Sequence, residues 1–130
     1  MSIPVDLSGL DAAVKEYAAG YLVTVSDEGT AKIVTVEPSV TDGVVRVADP
    51  GNGSRRNAAA NPRVTLVFPP REEKGFTLLV DGTAAVEGDD VTVVPTWAVL
   101  HRPAMHADGP PPPLPVSGGT ACGNDCRPVG

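Results

Sequence analysis

The residues whose types and spacing carry the most chemistry are Ser54, Arg55 and Arg56, which follow Gly51-Asn52-Gly53 and precede Asn57-Ala58-Ala59-Ala60-Asn61-Pro62. Two adjacent guanidiniums on a short helical turn suit a phosphate. Arginine grips phosphate oxygens bidentately, and the first turn of a helix offers backbone N–H groups that have no intrahelical partner. The Gly/Ser loop leaves the backbone flexible, and Asn61-Pro62 stops the helix before the β-prone run Val64-Thr65-Leu66-Val67-Phe68. Taken alone, an Arg pair is more often a solvated helix face, so the phosphate reading rests on the elements around it.

A second group of reactive side chains lies toward the C-terminus: His101, His106, Cys122 and Cys126. The Cys spacing is compatible with a zinc site or a local disulfide. A Pro-rich stretch separates the histidines from the cysteines and nothing orients the rings, so no metal is assigned, and reduced thiols are the expected state in a cytosolic protein. The run Pro110 to Pro115 reads as a stiff spacer in preference to the alternative, a docking motif for a proline-recognition domain.

The chain that must position these groups has 130 residues, 42% of them hydrophobic and only 4% aromatic, with Val prominent. That is enough apolar mass for one core, with a lean toward β-structure. A net charge of −6 opposes binding to nucleic acid or anionic lipid. The N-terminus lacks a signal-peptide pattern and no apolar run reaches spanning length, so a soluble, cytoplasmic protein is expected.

The periodicity predicts one amphipathic helix over residues 7–19, capped by Ser8 and Asp11 and stopped at Gly20. Strands follow at 21–25, 31–36, 44–48, 64–68, 76–87 and 91–100, with the third placed to pair with the second. Asp81-Gly82 marks a bulge or bend inside a long strand. Trp97 reads as core or subunit interface rather than a ligand platform, with core the preferred place. The expected architecture is therefore mainly β: a six-stranded antiparallel split β-barrel spanning 1–102, with an N-terminal helix and a short helix near 54–60, followed by a Pro/Gly-rich extended arm over 103–130.

The order of these features resembles the pyridoxamine 5′-phosphate oxidase-like family of flavin-binding split β-barrels. The resemblance runs from the first helix through about His101. It is carried by the Gly29 hairpin, the Asp42-Gly43 turn, Ser54-Arg55-Arg56, Asn61-Pro62-Arg63-Val64-Thr65-Leu66 and Val80-Asp81-Gly82-Thr83-Ala84. It implies a homodimer with FMN in a cleft between subunits, the phosphate on Arg55 and Arg56 with Ser54 beside them, and the ring along Ile33, Val34 and Thr35. Lys32 stands where the oxidases usually have an Arg. Glu37 stands where they place a Lys near the phosphate, and Ala48 where a Thr is expected. The chain also lacks the Arg-rich C-terminal segment that closes the vitamin B6 pocket of true oxidases. The resemblance therefore implies a flavin-dependent oxidoreductase acting on an unidentified small molecule, with no side chain assigned as catalytic, since the flavin itself carries the hydride chemistry. The alternatives are a deazaflavin (F420)-dependent reductase, or a non-catalytic binding module with weak flavin affinity or none.

Overall fold

The computed structural model describes residues 1–103. Its elements in chain order are β1 (Ser2–Pro4), a 3-10 turn (Leu7–Gly9), α1 (Leu10–Lys15), β2 (Gly20–Val25), β3 (Ala31–Val36), β4 (Ser39–Thr41), β5 (Val44–Val47), α2 (Asn52–Ala60), β6 (Arg63–Phe68), β7 (Thr77–Glu87) and β8 (Asp90–His101). All eight strands join one sheet in the order β3-β2-β6-β7-β8-β5-β4, with β1 on β8. Every pairing is antiparallel. The six expected strands are present, and two short ones, β1 and β4, extend the sheet.

The core follows from the alternation of side chains along each strand. Leu22, Val45, Val47, Leu66, Phe68, Leu78, Val80, Val91, Val93 and Ala98 turn to one side of the sheet, and Leu10 and Val14 of α1 and Ala58 of α2 close over them. Phe68 lies directly over Gly20, where a Cβ would come within 2.8 Å of the Phe68 ring, and Tyr17 packs against the same ring at 6.0 Å.

Three local readings change. The N-terminal helix is shorter: a 3-10 turn capped by Asp6, which accepts from the Ser8 N–H at 3.0 Å, leads through Gly9 into a six-residue α1. The chain leaves the helix after Lys15 because Tyr17 is drawn across to donate its hydroxyl to the Phe76 carbonyl at 3.1 Å. The third long strand, β5, does not pair with β3. It pairs with β8 and with the short β4. Pro38, which has no N–H to donate, follows the end of β3, and the chain folds back through a two-residue turn in which Asp42 (φ 52°) and Gly43 (φ 79°) both adopt positive φ. β3 is thereby left at the edge of the sheet.

The bend expected at Asp81-Gly82 is present. Asp81 faces Trp97 while Gly82 faces Pro95, so β8 carries one extra residue, Thr96, whose hydroxyl donates to the Asp81 carbonyl at 3.2 Å. A Cβ at Gly82 would lie 2.5 Å from Val93 Cγ1 and 2.6 Å from the Val94 carbonyl. The two backbones approach this closely only because residue 82 has no side chain.

Candidate functional site: the α2 start beside the edge strand

Gly51, at φ 103°, turns the chain out of an extended segment into α2, and its carbonyl accepts the Arg55 N–H at 3.1 Å. No side chain caps this end of the helix. The N–H groups of Asn52, Gly53 and Ser54 therefore point out of the helix start without intrahelical partners. Asn57 ties α2 to the sheet by donating its Nδ2–H to the Thr24 hydroxyl at 3.1 Å, on a buried position of β2.

Lys32 is opposite Thr24 on the neighbouring edge strand. Its aliphatic stem lies over Gly53: a Cβ built at Gly53 would sit 2.9 Å from Lys32 Cε and 3.4 Å from its Nζ. The absent side chain of Gly53 forms the cradle that holds this ammonium against the first turn of α2. Arg56 is one helical turn on, at i+3 from Gly53, so it shares that face of the helix. Its side chain is exposed, and among the described residues neither Arg56 nor Lys32 makes an ion pair.

Arg55 points elsewhere. Its Nη1 donates to Asp49 Oδ1 at 2.8 Å and to the Asp89 carbonyl at 2.9 Å, and its Nη2 donates to the Asn52 side chain. Arg46 bonds Glu87 at 3.3 Å and Asp90 at 2.9 Å, and Asp90 accepts the Asp49 N–H at 3.2 Å. Arg55 thus binds the start of α2 to the β7–β8 turn, and Arg46 binds β5 to the same turn. Ser54 is fully buried on the sheet-facing side of α2, and its Oγ has no hydrogen-bond partner.

Along β3, Ile33 is 61% exposed, Thr35 is exposed and Val34 is half-buried toward the core. Because β3 pairs only with β2, its outer edge presents unpaired backbone N–H and C=O groups. The structure therefore gathers Lys32, the exposed β3 edge, the helix start and Arg56 in one region. Ser54 enters that region through its backbone, and Arg55 is engaged within the chain.

No protein-family model matches the chain. Two mycobacterial proteins, both named as uncharacterized, one from Mycobacterium bovis and one from Mycobacterium tuberculosis, are each 38% identical to it over 138 residues, covering 94% of this chain and 92% of each relative. Among solved structures, an F420 reductase superposes with a TM-score of 0.58 at 18% identity, covering 68% of this chain and 94% of the reductase. A Listeria innocua protein named for pyridoxamine 5′-phosphate oxidase superposes at 0.60 and 13% identity, covering 72% and 96%. An FAD-binding protein from Mycobacterium smegmatis superposes at 0.55 and 20% identity, covering 78% and 100%. The chain belongs to the family of the two mycobacterial proteins, with the pyridoxamine 5′-phosphate oxidase-like split-barrel fold.

Within this split barrel, Glu37 stands just past the end of β3, the place the sequence gives it, and roughly 17 Å along the strand from Lys32, where it lines a cavity of about 260 Å³ with Lys15 and Tyr17 under α1. Trp97 is 52% exposed on β8 rather than in the core, because its strand position, opposite Asp81, faces away from it. Four groups at the site were given no role from sequence: Asp49, Asn52, Gly53 and Asn57. The Gly51-x-Gly53 spacing was the available signal for Gly53. The partners of Asn57 and Asp49 are 33 and 6 residues away respectively, and no local pattern marks them.

Among the described residues no cluster of His, Cys, Asp and Glu could hold a metal ion, and no helix is long and apolar enough to cross a membrane. His101 is on β8, with Nδ1 3.1 Å from the Ser2 hydroxyl. His106, Cys122, Cys126 and the Pro110 to Pro115 run lie outside the described residues.

Proposed function

We propose that this split barrel binds a flavin-type cofactor, FMN or the deazaflavin F420, between β3 and α2, and acts as a small oxidoreductase. The observation that carries the reading is the Lys32–Gly53 cradle, which sets a lysine against the uncapped start of a nine-residue helix, with Arg56 on the same face. Two cations and a set of outward N–H groups are a donor set matched to a phosphate. The fully buried, unpartnered Ser54 Oγ lies at the same helical turn. The open edge of β3 supplies backbone donors and acceptors for the ring, with Val34 on the face that Lys32 and α2 share.

The fold likeness to proteins named as an F420 reductase and as FAD-binding agrees with this chemistry. The bound ring would supply hydride transfer, and the residues described here would bind and orient it. A homodimer is part of the proposal. Ile33, Val94 and Trp97 are large apolar side chains, each more than half exposed, and a second copy would cover such surface.

The test is a titration of the purified protein with FMN and, separately, F420, followed by ligand fluorescence. Saturable binding in the micromolar range is expected, weakened about tenfold in Lys32→Ala and in Arg56→Ala, since each removes one charge-assisted contact. Absence of saturable binding by either ligand would overturn the flavin reading. Binding indifferent to both substitutions would put the phosphate elsewhere.

A further inference from the structure

Arg55 is one of the two adjacent arginines at the start of α2, yet its charge is already answered inside the chain. Asp49 Oδ1 lies 2.8 Å from its Nη1, and the same guanidinium reaches Asn52, the first residue of α2. The Asp49 carboxylate therefore stands by the positive end of the helix as an internal anion. Its backbone is in the left-handed region at φ 42°, uncommon for a residue other than glycine, and its N–H is fixed by Asp90. Asp49 is 72% exposed at its side chain while Arg55 is 18% exposed, so the carboxylate forms the solvent side of the pair.

We infer that Asp49 is a specificity-determining residue of the phosphate site: by holding Arg55 it lowers the site's net positive charge by one unit and favours a singly charged phosphate diester over a doubly charged monoester. This rests on the flavin reading above. The free cations left at the start of α2 are Lys32 and Arg56. A phosphate monoester such as that of FMN is close to a dianion above its second pKa near 6, and it would have to sit near the Asp49 carboxylate. A diester, the form in which F420 carries its phosphate, brings one charge and meets half of that repulsion.

The test is Asp49→Asn, which keeps a hydrogen-bond acceptor for Arg55, removes the charge and tolerates positive φ. Asp49→Gly serves as a second variant that removes the carboxylate altogether and suits the backbone at that position. Dissociation constants are measured by fluorescence for riboflavin, FMN and F420 with wild type and both variants at low salt and pH 7.5, and the phosphate contribution is read as the riboflavin-to-FMN ratio. Both variants should raise that ratio about tenfold, the scale of one nearby charge at a partly exposed site, and should tighten F420 by a smaller factor. Asp42→Asn, on the remote β4–β5 turn, should leave the ratio unchanged. A ratio that falls or stays level in both variants while the ligands still bind would show that Asp49 merely orients Arg55, leaving the flavin reading intact. Absence of binding by all three ligands in every form would overturn both.

Discussion

Gly53→Ala separates a structural from a functional role at one position, because the two predict opposite signs. Gly53 is the second residue of α2, and its φ lies outside the positive region that favours glycine, so alanine fits the backbone. Replacing a helical glycine by alanine stabilises by up to about 1 kcal/mol through the reduced entropy of the unfolded chain. The new methyl, however, would sit 2.9 Å from Lys32 Cε, closer than carbon atoms approach without displacement. The neighbour that must yield is the far end of a flexible lysine, so the steric cost is small and the ammonium swings away from the helix start. Losing one charge-assisted contact to a phosphate at an exposed site costs about 1–2 kcal/mol, or roughly fivefold to thirtyfold in Kd. Gly53→Ala should therefore melt at the same temperature as wild type or a few degrees higher, while FMN binding weakens and riboflavin binding is unchanged. A lower melting temperature with unchanged FMN affinity would refute the cradle argument, since it would mean that Lys32 takes no part in binding and that the glycine serves only packing.

Gly82→Ala presses on backbone rather than on a flexible tip, with Val93 Cγ1 at 2.5 Å and the Val94 carbonyl at 2.6 Å. It should destabilise by about 1–3 kcal/mol in denaturant melts, and near-wild-type stability would mean that the β7–β8 bulge relaxes freely. Asp6 has its pKa lowered, first by the Ser8 N–H and then by the Ser8 hydroxyl. A carboxyl with a depressed folded pKa stabilises above its unfolded value and loses that contribution as pH falls through the folded one. The 3-10 turn should therefore fray only below about pH 3.8, seen as faster Ser8 amide exchange, and fraying that begins well above that pH would remove Asp6 as the cap.

Much of the sheet was legible because strand signals are local. Alternation in 21–25, 31–36 and 64–68, the Asp42-Gly43 turn and the bend at Asp81-Gly82 each depend on a few adjacent residues, and each appears where expected. The helix beginning near Ser54 was legible for the same reason, with Asn61-Pro62 ending it. The end of the first helix was not, because the Tyr17 hydroxyl meets its acceptor, Phe76, 59 residues away. The hairpin pairing of β2 with β3 was legible from its Gly29 turn, but the partner of β5 was not. β5 and β3 are near in sequence, but hydrogen bonding to β8 offers β5 the buried register that fills the core.

At the site, the sequence by itself determined which groups were present: adjacent arginines behind a Gly/Ser loop, a lysine on the second strand, and a carboxylate five residues after it. Only the tertiary structure decided which of them act together. Pleating and strand length put Glu37 beyond the far end of β3 from Lys32, and helical geometry set Arg56 on the Gly53 face while Arg55 folded toward Asp49 and the β7–β8 turn. Spacing along the chain cannot rank two neighbouring arginines, since the charges that answer them come from other strands. The carboxylate that answers Arg55 is Asp49, a pairing set by how α2 docks on the sheet.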